Sequence, residues 1–209
     1  PNSPPLLQAK TDGGTPFTLS LHAGDLGHAA ILGPTGAGKS TLLALVAAQQ
    51  FRYPGAQVFA FDKGYSMLPL CWAAGGEHYD IAGEQGDLAF CPLGRVDEPN
   101  ERVWAAEWLE QLCELQGLKM LPHHRQELFR AITQLGASTD TMAQRTLTNF
   151  LVLLQDQSLR EALQAYTLRG MAGHLLDAET DSLGQDVFQV FEMEHLMNKG
   201  DKLVRPVLT

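Results

Sequence analysis

The residues from Gly33 to Thr41, GPTGAGKST, have the types and spacing that bind phosphate groups. They match the pattern Gly-x-x-x-x-Gly-Lys-Ser/Thr, in which glycines let successive backbone N–H groups turn inward around an anion. In this pattern the ammonium of Lys39 reaches the β- and γ-phosphates, and the hydroxyl of Ser40 is a ligand for Mg²⁺. The pattern therefore predicts that ATP and Mg²⁺ bind at Gly33, Pro34, Thr35, Gly36, Ala37, Gly38, Lys39, Ser40 and Thr41.

Hydrolysis of ATP would also require an acidic side chain at the end of a strand, to hold the metal ion or the attacking water. The apolar run VFAF ends in Asp62, one strand after the phosphate loop. In a parallel sheet the carboxylate of Asp62 would lie at the edge that carries the phosphates, so we predict catalytic roles for Lys39 and Asp62. In an alternative interpretation, Asp62 caps a helix that starts at Ser66. Lys63 is expected to be solvated, and Glu192, after the run VFQVF, is expected to be structural.

A strand, a loop, a helix and a second strand are the elements that must position these side chains. Short apolar runs predict strands over Phe17–Leu21 and His28–Leu32, and Lys39–Gln50 has the apolar content of a buried helix. The run QVFAFD, residues 57–62, predicts the next strand. Strand–helix–strand order is typical of βαβ units, so we predict an α/β fold in which helices cover a parallel sheet.

The centre of the chain has helical rather than strand periodicity. A helix is predicted from Asn100 to Gly117, with one apolar face made of Trp104, Trp108, Leu112 and Leu115. Capping residues and helix breakers predict three further helices. The first runs from Pro122 to Gly136, and the second starts at Thr139. The third starts at a Ser-x-x-Glu capping box at Ser158 and reaches Tyr166.

Three regions follow from this order of elements. Residues 1–95 are predicted to form the phosphate-loop βαβ half of an α/β core, and residues 96–184 are predicted to form an all-helical insertion. Residues 185–209 return to the α/β core, with a strand over residues 186–194 and a helix from Asp201.

The composition is that of a globular protein with an acidic balance. The 209 residues are 44% hydrophobic and 19% charged, and 15 Lys and Arg against 24 Asp and Glu give a formal net charge of −9. This balance argues against nucleic-acid binding by bulk electrostatics, which needs clustered basic residues. No apolar run approaches the roughly 20 residues that span a bilayer, and no signal peptide is visible.

The cysteines and histidines do not predict a metal site. Cys71, Cys91 and Cys113 are widely spaced and odd in number, which predicts free, buried thiols. His123 and His124 are adjacent, so on a helix they are expected to point to different faces and not to share an ion.

Three stretches carry a resemblance to a known family: GHAAILGPTGAGKSTLLALVAAQ, VFAFDKGYSMLPLCWAAGGEHYDI and LREALQAYTLRGMAGHLLDAETDSL. Together they resemble the TrbE/CagE family, the ATPases of conjugal transfer and type IV secretion, over nearly the whole chain. The most specific positions lie in two groups. The first is Phe61–Gly64 with Gly75–Tyr79, and the second is Tyr166, Gly170, Gly173, Leu176, Asp177, Asp181, Ser182 and Leu183.

The resemblance implies a fold and a cellular setting. It implies the RecA-like motor domain of a P-loop NTPase with a helical insertion, in which Gly33–Thr41 is the nucleotide site of an ATPase. It also implies partners among the other components of a secretion or conjugation apparatus at the inner membrane. A homo-oligomer such as a hexamer, and a cytoplasmic location at the inner face of the bacterial inner membrane, belong to the same expectation.

One element of the family is not found in these residues. Family members carry an Asp-Glu pair on a strand beyond the helix that DKLVRPVLT begins, so we expect the chain to stop before this pair and to have little activity alone. Two alternatives stay open: an ABC-transporter-like cassette, although Ser182–Gln185 lacks the glycine pair of the signature, and a nucleotide-binding module that does not hydrolyse ATP on its own. Arg145, Arg169 and Arg205 are candidates for contacts across an oligomer, and no pattern favours one of them.

Overall fold

The structure is a computed structural model that describes residues 5–22, 27–83 and 88–209. Within that part of the chain the strands are β1 (Leu7–Lys10), β2 (Pro16–Leu19), β3 (Val58–Asp62), β4 (Glu77–Asp80) and β5 (Phe188–Glu192). The helices are α1 (Lys39–Gln50), α2 (Leu68–Ala74), α3 (Pro99–Leu115), α4 (Pro122–Ser138), α5 (Leu147–Leu153), α6 (Gln157–Gln164), α7 (Gly173–Leu176), α8 (Glu194–Met197) and α9 (Asp201–Leu208), with a 3₁₀ turn over Met142–Gln144.

The chain divides into two compact units. The sheet unit comprises Pro1–Tyr79 and Gln185–Met193, and the helical unit comprises Asp80–Gly184 and Glu194–Thr209. Residues 194–209 thus belong to the helical unit, together with the long segment that ends at Gly184. The predicted division into residues 1–95, 96–184 and 185–209 stays a prediction. The segment around Phe90 goes with the helical unit because its N–H donates to the Leu175 carbonyl at 2.7 Å.

A three-stranded sheet in the order β3–β5–β4 is the centre of the sheet unit. β3 and β5 are parallel and in register over their full lengths, as the βαβ pattern predicts. Every residue of β5 is buried, as expected for a central strand. Phe188 and Val190 of β5 form a core cluster with Met67 and Cys71, and Ala44 of α1 packs against this cluster.

Residues 28–32 do not form a strand, contrary to the prediction. A strand exists through ladder hydrogen bonds to a neighbour, and no strand in the described part of the chain pairs with this segment. Accordingly Ile31 is 37% and Leu32 91% exposed. Of the predicted βαβ unit, the structure therefore contains α1 and β3. The other predicted N-terminal strand is present as β2, which pairs with β1 in the antiparallel direction.

Helices α3 and α4 begin at prolines. Pro122 starts α4 as predicted, and α3 starts at Pro99, one residue before the predicted cap Asn100. Proline is well tolerated at the first helical position, because the N–H of that residue would have no partner inside the helix. At its other end α4 continues through Gly136 to Ser138, so the prediction that the glycine ends this helix is wrong.

The buried face of α3 differs from the predicted one by a rotation of part of a turn. Its buried residues are Ala105, Trp108, Leu109, Leu112 and Cys113. Trp104, predicted on this face, is 38% exposed and stacks on Trp108, with ring centroids 5.8 Å apart. The indole N–H of Trp108 donates to the Pro206 carbonyl at 3.0 Å, which explains why α9 belongs to the helical unit.

Two predicted helix caps are wrong. Thr139 is followed by the 3₁₀ turn, and α5 is capped instead by Thr146. Ser158 does not cap α6, because Asp156 accepts hydrogen bonds from the N–H groups of Ser158 at 2.8 Å and of Leu159 at 3.1 Å. A carboxylate accepts both bonds and is also favoured by the positive end of the helix dipole.

The three cysteines are free and buried, which confirms the prediction from their spacing. Burial raises the pKa of Cys91 to about 11 and that of Cys113 to about 12. Since the thiolate is the reactive form, we expect iodoacetamide at about pH 8 to leave the native chain unmodified. The same reagent should modify all three cysteines after denaturation, as counted by intact mass spectrometry. Rapid alkylation of the native chain would contradict the burial of these thiols.

Among the described residues, no helix combines the length and the apolar character that crossing a membrane requires.

Candidate functional site

The phosphate loop has the backbone conformation that an anion cradle needs. Gly36 and Gly38 both have a φ of +81°, in the left-handed region that favours glycine. Helix α1 begins directly after Gly38, which is its N-cap and provides no side-chain hydrogen bond. The first N–H groups of α1 therefore have no partner from a capping side chain, and with the helix dipole they form a site suited to phosphate.

Lys39 and Ser40 occupy the first turn of α1. The Nζ of Lys39 donates to the Pro34 carbonyl at 2.8 Å, so the lysine side chain bends back over the phosphate loop. Lys39 is half-buried, whereas Ser40 and Thr41 are exposed at the helix start. The structure thus brings the predicted phosphate-binding residues together at one helix N-terminus, with the ammonium and the hydroxyl on adjacent residues.

A cavity of about 420 Å³ lies beside the start of α1. Its lining is mostly apolar: Leu21, Gly27, Ala29, Ile31, Lys39, Ser40, Leu43 and Val46. Phosphate groups need donors rather than apolar walls, so we place the predicted phosphate position at the loop backbone and not in this cavity.

Both carboxylate oxygens of Asp62 accept hydrogen bonds from the loop after β3. Oδ1 accepts from the Ser66 hydroxyl at 2.6 Å, and Oδ2 accepts from the Met67 N–H at 2.7 Å. Met67 is the N-cap residue of α2, so this geometry corresponds to the alternative interpretation, a capping role for Asp62. Each carboxylate oxygen has a further lone pair, and the predicted contact of Asp62 with metal or water stays a prediction.

Glu192 organises the same loop from the neighbouring strand. Its side chain is completely buried at the end of β5 and accepts the N–H of Gly64 at 3.1 Å and of Tyr65 at 2.6 Å. Gly64 has a φ of +92°, and Tyr65, a residue with a Cβ, has a φ of +59°. The left-handed conformation costs a residue such as Tyr65 roughly 1–2 kcal/mol, and the two bonds to Glu192 offset that cost. The predicted structural role of Glu192 agrees with this arrangement.

Sequence reasoning did not connect Glu192 with the loop after β3. The partners lie 128 and 127 positions apart, and no local pattern relates them. The parallel pairing of Asp62 with Glu192 across β3 and β5 creates the contact.

A second cluster of metal-ligating atoms lies in the helical unit. Contrary to the expectation of opposite faces, His123, His124 and Asp156 bring one ligand atom each to within 4.8 Å of one another. However, Nδ1 of His124 accepts the Leu121 N–H at 3.2 Å, so in the neutral ring Nε2 carries the proton and faces Asp156 at 3.6 Å. A protonated nitrogen cannot ligate a metal, so this cluster is better explained as a hydrogen-bonded helix cap.

The positions around Asp177 that carry the family resemblance have structural contacts. Asp177 is 2% exposed, and its carboxylate accepts the N–H of Thr148 at 2.9 Å, the hydroxyl of Thr148, and the N–H of Leu168 at 2.8 Å. These bonds fasten α5 and the segment after α6 to the end of α7. Tyr166 is also buried, and its hydroxyl accepts from Gln116 at 2.9 Å.

The glycines and the acidic residue near Asp177 serve the same packing. A Cβ on Gly173 would lie 2.0 Å from the Thr167 carbonyl oxygen, so only glycine fits there. Asp181 accepts the Cys91 N–H at 2.8 Å, and the Ser182 hydroxyl accepts the Ala89 N–H at 2.7 Å. The segment therefore fastens residues 88–91 to the helical unit.

The three arginines proposed as contacts across an oligomer have different environments. Arg145 is 6% exposed and is held by the Gly94 carbonyl at 2.8 Å and by Asp97, so its guanidinium is committed within the chain. Arg205 pairs with Asp201 at 3.2 Å within α9. Arg169 is exposed on the loop after α6.

Comparison with known proteins identifies relatives in conjugation and secretion. The chain is 49% identical over 213 residues to a probable conjugal transfer protein TrbE of Sinorhizobium fredii, and 48% identical over 215 residues to the conjugal transfer protein TrbE of Rhizobium radiobacter. It is 27% identical over 205 residues to the type IV secretion system protein virB4 of Bartonella henselae. These matches cover 100%, 100% and 95% of the chain but 31%, 26% and 25% of the relatives, so the chain spans a third of their length or less. No family model matches the chain.

A solved structure of a type IV secretion protein has a similar fold. The solved structure of VirB4 of Thermoanaerobacter pseudethanolicus matches with a TM-score of 0.70 and 17% identity, over 95% of this chain and 59% of that one. This match confirms the predicted α/β class with a P-loop NTPase-like fold. The sequence comparison shows that the chain is a homologue of the TrbE conjugal transfer proteins and the VirB4 type IV secretion proteins, and the solved VirB4 structure shares its fold.

Proposed function

We propose that this chain is the nucleotide-binding part of an ATPase that energises the assembly of a type IV secretion or conjugal transfer apparatus, or substrate transfer through it. The observation that carries the proposal is the phosphate loop, in which two left-handed glycines lead into an uncapped helix that starts with Lys39. The likeness to TrbE and VirB4 supplies the biological setting. The transporter-cassette alternative loses support, because Ser182 of its imperfect signature hydrogen-bonds Ala89.

Different groups of the loop would bind the phosphates and the metal ion of Mg-ATP. The N–H groups from Gly36 to Thr41 would surround the phosphates, and Lys39 would exchange its bond to the Pro34 carbonyl for one to a phosphate oxygen. The Ser40 hydroxyl would hold Mg²⁺, an ion that neutralises the charge developing on the phosphates when it is bound. These roles use only donors and a hydroxyl that already lie at the start of α1.

The setting of the relatives extends the proposal to partners. TrbE and VirB4 are named as parts of conjugal transfer and type IV secretion systems. We therefore infer that other components of such an apparatus bind the whole protein at the cytoplasmic face of the inner membrane. A homo-oligomer such as a hexamer belongs to the same proposal.

We expect the 209-residue chain to bind Mg-ATP but to release phosphate very slowly. At the sheet edge, Asp62 accepts bonds from Ser66 and Met67, and Glu192 accepts bonds from Gly64 and Tyr65, so both acids already hold the loop after β3. A longer polypeptide that also carries the sequence outside the aligned region of the relatives should turn over ATP. Titration with a fluorescent ATP analogue and a phosphate-release assay on both polypeptides test this expectation.

Two outcomes would change the proposal. Fast phosphate release by the 209-residue chain would mean that Asp62 or Glu192 supplies the acid, and loss of that activity in Asp62→Asn would assign it to Asp62. No saturable binding of the analogue by either polypeptide would refute the nucleotide site itself.

A further inference from the structure

The turn after β3 presents one cation to solvent. Lys63 is exposed, and within residues 5–22, 27–83 and 88–209 its ammonium has no hydrogen bond or ion pair. The residues on either side of it are held firmly: Asp62 caps the next turn through Ser66 and Met67, and Gly64 donates to Glu192. The backbone that carries Lys63 is therefore fixed at both ends, although its side chain is free.

This turn holds one residue with a Cβ, Tyr65, in an unfavourable backbone conformation. Gly64 and Tyr65 both have positive φ, and the completely buried carboxylate of Glu192 accepts both of their N–H groups. The ring of Tyr65 also stacks on His78, with centroids 5.8 Å apart. Strained backbone conformations persist where the surrounding structure holds them, and they cluster at active sites and ligand clamps.

Lys63 lies at the edge of the sheet to which the phosphate loop points. At the end of α1, Phe51 packs against Phe188, the first residue of β5, with ring centroids 5.2 Å apart. Ala44, earlier in α1, packs against the core cluster that contains Phe188 and Val190. Helix α1 is therefore antiparallel to the strands: it starts near their carboxyl ends and finishes near their amino ends. The 12 residues of α1 and the five of β3 have lengths of about 18 Å and 16 Å. The start of α1 and the end of β3 therefore lie at the same edge.

We propose that Lys63 is a second cation for the phosphates of the bound nucleotide, and that Glu192 is a positioning residue that holds the turn from which Lys63 reaches them. This inference rests on the proposed nucleotide site. The loop and this turn belong to the same unit and the same sheet edge, where ligands of parallel α/β sheets bind. Lys63 then adds a second positive charge at the phosphates, beside that of Lys39 at the loop.

The test is a titration of the full chain with MANT-ATP in the presence of Mg²⁺. For Lys63→Ala we expect the dissociation constant to rise about tenfold, as for loss of a hydrogen bond between charged groups. Lys63→Arg should bind within about threefold of the unchanged chain, because it keeps the positive charge. Lys119→Ala is the matched control, since Lys119 is also an exposed lysine but lies in the helical unit. Its dissociation constant should change by less than about twofold.

A double substitution tests the positioning role of Glu192. Glu192→Gln removes the negative charge and one acceptor but keeps the shape, and we expect the dissociation constant to rise about threefold as the turn loosens. If Glu192 acts through Lys63, the double variant Lys63→Ala/Glu192→Gln should bind like Lys63→Ala alone. Circular dichroism of each variant serves as the check that the fold is retained. Effects of the two substitutions that multiply would overturn the positioning role.

The outcomes separate this inference from the nucleotide site on which it rests. If Lys39→Ala abolishes binding and Lys63→Ala binds like the unchanged chain, the Lys63 contact is refuted and the nucleotide site stands. If the unchanged chain shows no saturable binding, both are refuted. An equal loss in Lys63→Ala and Lys119→Ala would show a nonspecific effect of charge and would also refute the contact.

Discussion

Replacement of Lys39 by alanine is expected to raise the dissociation constant for Mg-ATP at least about 30-fold, which corresponds to about 2 kcal/mol. The ammonium is the point charge of the loop, and it lies on the first residue of α1. Part of its contribution is offset, because the bond to the Pro34 carbonyl at 2.8 Å must be given up when a phosphate binds. Fluorescence titration of both chains with MANT-ATP measures the ratio.

Lys10→Ala is the matched control for this substitution. Lys10 is exposed on β1 of the same unit, so its loss changes the net charge equally without touching the loop. We expect Lys10→Ala to bind within about twofold of the unchanged chain. Binding by Lys39→Ala that equals binding by Lys10→Ala would remove the phosphate loop as the nucleotide site.

Replacement of Asp177 by alanine is expected to lower the free energy of unfolding of the helical unit by about 3–5 kcal/mol. The substitution leaves the buried N–H groups of Thr148 and Leu168 and the hydroxyl of Thr148 without their acceptor. It also removes side-chain volume at a position that is 2% exposed. Urea denaturation followed by the far-ultraviolet circular dichroism of the helices measures the loss.

Glu179→Ala provides the comparison for Asp177. Glu179 is an exposed acid two positions further on, and we expect its loss to change the free energy of unfolding by less than about 0.5 kcal/mol. Because Asp177 belongs to the second group of residues that carry the family resemblance, Asp177→Ala tests whether that group is structural. A variant that unfolds like the unchanged chain but loses nucleotide binding would instead assign Asp177 a role at the site.

The sequence by itself determined the features that depend on neighbouring residues. The phosphate loop is contiguous, so the types and spacing from Gly33 to Thr41 were sufficient to locate its helix start and its lysine. Helix starts at prolines and the apolar strands β3 and β5 also follow from local signals, because proline restricts φ and buried strands are continuous apolar runs. The parallel α/β class follows from the order of these elements.

Only the tertiary structure decided the contacts between distant segments. Glu192 meets the turn at Gly64 and Tyr65 because β3 and β5 pair in register. Asp177 meets Thr148 and Leu168 because α5, the segment after α6 and the end of α7 pack together. Residues 28–32 have the apolar pattern of a strand but no neighbour to pair with in the described part of the chain. Hydrogen bonds across more than a hundred positions leave no periodicity in the sequence. Tertiary packing therefore determines which hydrogen-bond donors a buried carboxylate such as Glu192 contacts. The position of this carboxylate at the end of a strand can be read from the sequence alone.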